Sequence, residues 1–412
     1  MWIFNRLSGA YFYLLCLVSF YLLWPYYNVF GGLHNSLKYN FQFILFLIPI
    51  VVLFPGKFLN YLINSKYSFL ILFLFIFLMF DLFFNFPLNK YKIDTYCLFV
   101  SILFFLFVFN QLSQRFVNLF VFFVLLIWLL ISILEFYLRL SAPELFDIVW
   151  NELTLQSGLS STELEVKKIH GLGISTQANI TSIFSLIFFS VYYLSKVSFR
   201  YQIFFYFLLT ACIGILSFSL SLTAIASCAF SILLYYIRKR WSLDLFSSFV
   251  LGILLLIVSF PFLFLIGDSF KFSANSDTKS EYLFEFFEWP LEFFMANPLL
   301  VSLGLYNDIS NAPLENRYFN LILTQGLLFF LIFMLVLLRV YSKLFMKSSI
   351  GNEDALRFII FSYLIISYFH ISYLPHITTI ILFSVLFAYS VSKLASSDSL
   401  KLNENLQGRI GR

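Results

Sequence analysis

The sequence predicts an all-α integral membrane protein, with about twelve transmembrane helices of roughly 20 residues each and two larger loops on its outer face. Three observations support this fold class. Hydrophobic residues make up 61% of the chain and charged residues 11%, against about 25% charged in soluble proteins. Apolar runs of spanning length recur along the chain, and Lys and Arg cluster beside their ends. We therefore expect a single polytopic membrane domain over residues 1–412.

The spans follow from the apolar runs, because in hydrocarbon a helix satisfies its own backbone hydrogen bonds. The predicted spans lie near residues 10 to 27, 39 to 55, 67 to 86, 93 to 109, 116 to 138, 178 to 196, 201 to 219, 221 to 237, 243 to 267, 319 to 340, 356 to 373 and 376 to 393. Arg6 precedes the first run without a small-residue cleavage pattern, so this segment is expected to remain as a helix.

The orientation follows from the positions of Lys and Arg. With a cytoplasmic N-terminus, the inner connections hold most of the basic residues, including the cluster Arg238-Lys239-Arg240. Positive residues beside helix ends mark the cytoplasmic side. Both termini are therefore expected in the cytoplasm, and the two long connections, residues 139–178 and 268–318, are expected on the outer face.

The first outer loop carries a candidate anion site. Lys167 and Lys168 are followed by His170, two glycines and a polar run that ends at Asn179, where the next span begins. Basic side chains beside a helix N-terminus favour phosphate, because the free N–H groups and the helix dipole attract negative charge there. In the alternative interpretation, the lysines are interfacial anchors and Asn179 or Thr176 only caps the helix.

The second outer loop contains an acidic stripe and then the densest polar cluster in the chain. Four glutamates recur at spacings of four, three and four within an amphipathic helix: Glu281, Glu285, Glu288 and Glu292. Most of them are expected to be solvated. Asp308 and the consecutive Glu315, Asn316 and Arg317 follow, directly before a span. These residues can supply a base, a hydrogen-bond donor and a phosphate partner; alternatively, they form a capped helix with an interfacial Arg.

The predicted spans themselves contain little charge. Asp81 is an isolated intramembrane carboxylate in this prediction, with no charge pair to accompany it. A lipid-linked oligosaccharide flippase, the main alternative from the transporter class, would need charges lining a cavity between the helices to carry a head group across. The gathering of polar residues on one face favours chemistry on that face instead.

The second outer loop and the next span contain Asn297-Pro-Leu-Leu-Val-Ser-Leu-Gly304, followed after a short gap by Glu315-Asn-Arg-Tyr-Phe-Asn-Leu-Ile-Leu-Thr-Gln-Gly326. These motifs resemble those of the family of O-antigen polymerases and ligases, and the resemblance in the order of elements covers roughly residues 165 to 395. The run from Lys168-Ile-His-Gly171 to Asn179 is similar to an earlier element of the family. The ligase branch has His where this chain has Glu315, which favours a polymerase over a ligase.

The resemblance implies a glycosyltransferase on the periplasmic face of a bacterial inner membrane. It would join repeat units carried on polyprenyl pyrophosphate, with membrane lipid around it and a chain-length regulator as a further candidate partner. Glu315 is the favoured base, with His170 and Asp308 as alternatives. The groups expected on the pyrophosphate are Arg317, Lys168, Lys167 and Arg139, and the expected positioning groups are Asn316 and Asn179. A divalent metal at Asp308 and Glu315 is an alternative that the basic groups make unnecessary; no cofactor, metal or nucleic acid is expected.

Overall fold

The computed structural model describes residues 9–21, 36–64, 68–84, 90–142, 144, 231, 233–237, 295–296, 298–304, 317–346, 357–364 and 377–392. Every regular element in these ranges is a helix, so the prediction of an all-α fold is confirmed for this part of the chain. The predicted spans 178 to 196, 201 to 219 and 243 to 267 lie outside it, as do most of the two predicted outer loops.

The described helices follow the apolar runs. They are α1 (Gly9–Tyr21), α2 (Ser36–Leu53), α3 (Pro55–Asn64), α4 (Ser68–Phe84), α5 (Lys90–Gln111), α6 (Gln114–Ser141), α7 (Pro298–Leu303), α8 (Arg317–Gln325), α9 (Leu327–Met346), α10 (357–364) and α11 (Ile377–Val391). A short helical stretch also occurs at 233–237.

The helix α5 lies at the centre of this bundle. It packs most extensively on α11, next on α2, and also on α4 and α8. Consecutive residues such as Phe105, Leu106 and Phe107 are all buried. A helix that is apolar on every face belongs inside a bundle, because it has no face suited to water. The sequence of α5 therefore explains its central position.

Aromatic rings connect α9 to the hairpin formed by α4 and α5. The ring of Phe329, at the start of α9, lies 5.3 Å from the rings of Phe73 and Phe77 on α4 and 5.5 Å from the ring of Phe99 on α5, centroid to centroid. Tilted and edge-on ring pairs at such distances are attractive beyond the area they bury. The start of α9 is therefore held against the α4–α5 hairpin.

The other end of α9 meets α10. The ring of Tyr341 lies 5.5 Å from the ring of Phe358, and the guanidinium of Arg357 lies 4.9 Å from the ring centroid of Tyr389 on α11. Arg357 is 1% exposed. A cation placed over an aromatic face is stabilised by the ring quadrupole, more so when water is excluded.

The chain bends sharply between α2 and α3. The two helices differ in direction by 104° at a break of one residue, Phe54. Proline disfavours the helical conformation in the residue before it and is well tolerated in the first turn of a new helix, which explains a break before Pro55. The predicted connection after span 39 to 55 is therefore a separate helix, α3.

The predicted span 319 to 340 is also divided. Gly326 has a φ of +92° and separates α8 from α9. Its N–H still donates to the carbonyl of Ile322, at 2.9 Å, as expected for a glycine that ends a helix in the left-handed conformation. The sequence prediction of one continuous helix is wrong at this residue.

None of the helices in the described ranges is, by itself, both long and apolar enough to cross a membrane. One bent pair, Gln42–Leu53 with Pro55–Ile63, meets both requirements when its two members are taken together. Several shorter apolar helices accompany it, among them Thr95–Gln111 and Leu327–Tyr341.

Candidate functional site

Two of the nine predicted site residues fall within the described backbone. Arg317 is the first residue of α8, and Arg139 lies in the last turn of α6. The other seven lie outside the described residues: Glu315, His170, Asp308, Lys167, Lys168, Asn179 and Asn316. The mutual geometry of this set stays a prediction, but the structure describes the helices on either side of Gly326 and the short helix before Gly304.

The two glycines of the segment that carries the family resemblance meet backbone to backbone. Gly304 has a φ of +68°, and a Cβ atom added to it would lie 2.5 Å from the carbonyl carbon of Gln325. A Cβ atom on Gly326 would lie 2.7 Å from the carbonyl oxygen of Ser302. Side chains cannot occupy such gaps, and L-residues rarely adopt these φ values. Only glycine fits at both positions, where α7 joins the break between α8 and α9.

A buried lysine fixes this contact to the rest of the bundle. Lys92, in the first turn of α5, donates from Nζ to the carbonyl oxygen of Gly304 at 2.7 Å. Its side chain is 0% exposed. A charged donor forms a stronger hydrogen bond to a carbonyl than a neutral one does. The start of α5 therefore holds the end of α7.

Asp81 on α4 compensates the charge of Lys92. The Nζ of Lys92 lies 2.7 Å from Oδ1 of Asp81, and the hydroxyl of Tyr96 donates to Oδ2 at 2.7 Å. Lys92 and Tyr96 are four residues apart on α5 and so share one face. Both oxygens of the carboxylate are thus engaged. We call Asp81, Lys92, Tyr96, Gly304 and Gly326 the polar junction.

This arrangement suits a pair that positions helices better than one that takes part in a chemical reaction. Removing an ion from water costs several kcal/mol, and only a partner with well-placed hydrogen bonds offsets that cost. Here Asp81 accepts one bond from the Lys92 ammonium and one from the Tyr96 hydroxyl, and Lys92 donates to Asp81 and to Gly304. A pair that is satisfied in this way fixes α4, α5 and α7 relative to one another.

A neutral polar group lies beside the polar junction. Gln325 precedes Gly326 and is 2% exposed. Within the described ranges, neither the oxygen nor the nitrogen of its amide has a hydrogen-bond partner. Leaving a buried polar group unsatisfied costs about 1–3 kcal/mol, so this amide is a candidate for a contact with a ligand or water.

Sequence reasoning missed most of the polar junction. It treated Asp81 as an isolated charge and assigned Lys92 to a turn, and the first of these interpretations is wrong because the two side chains form an ion pair. A signal was present, since a single carboxylate near the end of one apolar helix and a lysine at the start of the next face each other across a short hairpin. The contact with Gly304 had no such signal, because 212 residues separate it from Lys92.

Replacing Gly326 by Ala should destabilise the protein, and Gly304 by Ala likewise. The left-handed backbone alone costs a non-glycine residue roughly 1–2 kcal/mol, and the Cβ clash adds to this. The matched control is Gly56→Ala, because a Cβ atom there meets nothing within 4 Å. The measurement is the free energy of unfolding in mixed micelles. Equal stability of all three variants would contradict the backbone contact.

Replacing either Asp81 or Lys92 by an apolar residue should lower the free energy of unfolding. Asp81→Leu or Lys92→Met leaves a buried charge without its partner, at roughly 3–5 kcal/mol each. The double variant Asp81→Leu/Lys92→Met should lose less stability than the sum of the two, because no uncompensated charge remains. A double-mutant cycle measures this coupling. Additive losses would show that the two side chains act independently.

Comparisons of this chain with protein-family models, with curated protein sequences and with solved structures found no match. Its function is therefore inferred from its own residues. Three features support this inference: the polar cluster at the start of α8, the resemblance carried by residues 297–326, and the polar junction, which holds both halves of that segment together.

Proposed function

We propose that the chain is an oligosaccharide repeat unit polymerase of the O-antigen type. It acts on the periplasmic face of a bacterial inner membrane, spans that membrane about twelve times with helices of roughly 20 residues, and keeps both termini in the cytoplasm. The donor is a growing polysaccharide on polyprenyl pyrophosphate. The acceptor is the non-reducing sugar of a new repeat unit on the same kind of lipid.

The observation that carries this proposal is the backbone contact between Gly304 and Gly326. These residues belong to the two halves of the segment that resembles the O-antigen polymerase and ligase family. Both glycines are required by the same packing, which supports a shared role for the two halves of the segment. The contact also fixes the position of Gly326, which directly follows α8. Arg317, at the start of α8, lies nine residues before Gly326, or about 13 Å along the helix.

The bonds of the polar junction agree with the predicted orientation. The loop 268–318 was predicted on the outer face, and the predicted spans with a cytoplasmic N-terminus place the turn between α4 and α5 on the same face. Lys92 follows that turn, and its hydrogen bond to the carbonyl of Gly304 connects the turn to the segment before Arg317. A buried backbone carbonyl needs a hydrogen-bond donor, and Lys92 provides one for the carbonyl of Gly304.

The proposed reaction exchanges one bond for another at the anomeric carbon. The bond from this carbon to the pyrophosphate oxygen breaks, and a bond to the acceptor hydroxyl oxygen forms. Glu315 takes the proton of that hydroxyl as general base, with His170 and Asp308 as alternatives. Negative charge that develops on the leaving pyrophosphate is stabilised by Arg317 and by the other predicted basic groups, Lys167, Lys168 and Arg139. Polyprenyl pyrophosphate leaves.

Sugar hydroxyls also need neutral hydrogen-bonding groups. Asn316 and Asn179 were predicted in that role, and Gln325 adds a buried amide whose two polar atoms have no partner within the described ranges. An amide donates and accepts, which matches a hydroxyl. We assign Gln325 as a further candidate contact for the acceptor sugar.

A flippase is the second candidate, and the Asp81–Lys92 pair is the observation in its favour. A transporter of charged head groups uses ionisable residues within its helices, and this chain has such a pair. The pair is enclosed, however, because Tyr96 also donates to Asp81, Lys92 also donates to the carbonyl of Gly304, and the Lys92 side chain is 0% exposed. It therefore favours a structural role over the carriage of a head group.

The test is complementation of a gene deletion in the native strain. The deletion should leave core carrying a single repeat unit, and the wild-type gene should restore the polysaccharide ladder on a gel. Arg317→Ala and Glu315→Gln, at wild-type membrane levels, should fail to restore it, because they remove charge stabilisation and the base. The matched control Arg115→Ala should restore it, since Arg115 is exposed at the start of α6 on the predicted inner face.

Other outcomes separate the alternatives. Core without any repeat unit in the deletion strain would identify a ligase or a flippase instead. An unchanged ladder in that strain would contradict a role in polysaccharide assembly. A full ladder from both loop variants would remove Glu315 and Arg317 from the proposed site.

A further inference from the structure

The helix α3 has three distinct faces. Phe58, Tyr61 and Leu62 are partly buried, and the rings of Phe58 and Tyr61 lie 5.1 Å and 5.5 Å from the ring of Phe107 on α5. Leu59 and Ile63, four residues apart, share a second face and are 57% and 70% exposed. This second face is apolar and is not covered by the described bundle.

The third face of α3 is polar. Lys57 and Asn60 are exposed, and Asn64 continues their spacing of three and four residues. The Nζ of Lys57 lies 5.7 Å from the ring centroid of Phe54 at the bend. A polar face with one cation, opposite a broad apolar arc, is the pattern of a helix that lies in a membrane interface.

The direction of α3 agrees with that pattern. At 104° to each other, α2 and α3 cannot both run close to the membrane normal. The bent pair meets the requirements for a span only when its two members are taken together, and α2 supplies most of the length, because its 18 residues rise about 27 Å against the roughly 30 Å of hydrocarbon. The ten residues of α3 rise only about 15 Å. If α2 crosses, α3 runs along the surface.

We propose that α3 is an interfacial helix whose partner is the cytoplasmic lipid surface. Leu59 and Ile63 enter the boundary between acyl chains and head groups, while Lys57 and Asn60 face the phosphates and water. The positive charge of Lys57 suits the phosphates of the inner leaflet. This inference rests on the membrane topology of the proposed function, but not on the proposed chemistry.

The packing of α3 on α5 gives the interfacial helix a mechanical role. Phe107 lies four residues before the end of α5, and α5 carries Lys92 in its first turn. Rings from α3 therefore brace the predicted inner end of the helix that supports the polar junction at its other end. Lipid contact through Leu59 and Ile63 holds α5 at a fixed depth.

The test uses spin labels on the full-length protein in lipid nanodiscs. Single cysteines replace Leu59, Ile63, Asn60 or Leu45 in a variant whose four native cysteines are replaced. Leu45, on α2, is 45% exposed and serves as the control for a spanning helix. Power saturation compares collisions with oxygen, which is enriched in lipid, and with a water-soluble nickel chelate.

Labels at positions 59 and 63 should show an oxygen-to-nickel ratio several-fold above that at position 60 and below that at position 45. A higher nickel than oxygen accessibility at 59 and 63, with position 45 in lipid, would overturn the interfacial helix and leave the proposed topology standing. A depth at 59 and 63 equal to that at 45 would also overturn it, in favour of an inserted helix. Water accessibility at position 45 would contradict the membrane topology itself.

Discussion

The hydrogen bond from Lys92 to the carbonyl of Gly304 is the interaction on which the rest of this architecture depends. It joins the start of the central helix α5 to the segment directly before the predicted catalytic cluster. A lysine can be buried there only because Asp81 lies 2.7 Å away and is itself oriented by Tyr96. The free-energy cost of burying the charges is thus offset by bonds that fix three helices together.

The backbone contact between Gly304 and Gly326 connects this hydrogen bond to α8 and α9. Because Gly304 and Gly326 touch without side chains between them, α7 ends against the break between α8 and α9. Gly326 separates α8 from α9, while Phe329 holds α9 on the α4–α5 hairpin. The polar junction therefore supports the segment that begins with Arg317, and the residues proposed for the chemistry lie in the predicted outer loops.

The sequence predicted the helices more reliably than their interruptions. Apolar runs form helices because the backbone must bond to itself where water is absent, and the described helices follow those runs. Gly326 lies inside such a run, where one glycine does not reveal a positive φ; its conformation depends on Gly304 across the bundle. Pro55 is a signal for a new helix that the predicted span 39 to 55 did not use, and the exposed face of α3 depends on how Phe58 and Tyr61 pack on α5. The Asp81–Lys92 pair could have been predicted from the geometry of the α4–α5 hairpin alone. The hydrogen bond from Lys92 to Gly304 could not, because it depends on the tertiary fold. The roles of Glu315 and Arg317 come from the resemblance and from chemical type.

The central claim is that the polar junction positions the outer segment for polymerisation, and the most direct test isolates the bond from Lys92 to Gly304. In the double variant Asp81→Asn/Lys92→Met, no charge is left buried and the introduced amide can still accept from Tyr96, but the carbonyl of Gly304 loses its donor. Purified in nanodiscs and supplied with polyprenyl-pyrophosphate-linked repeat units, this variant should remain folded and form far less polymer than Arg115→Ala, which changes an exposed arginine at the start of α6. Polymer of wild-type length and yield from the double variant would contradict the claim.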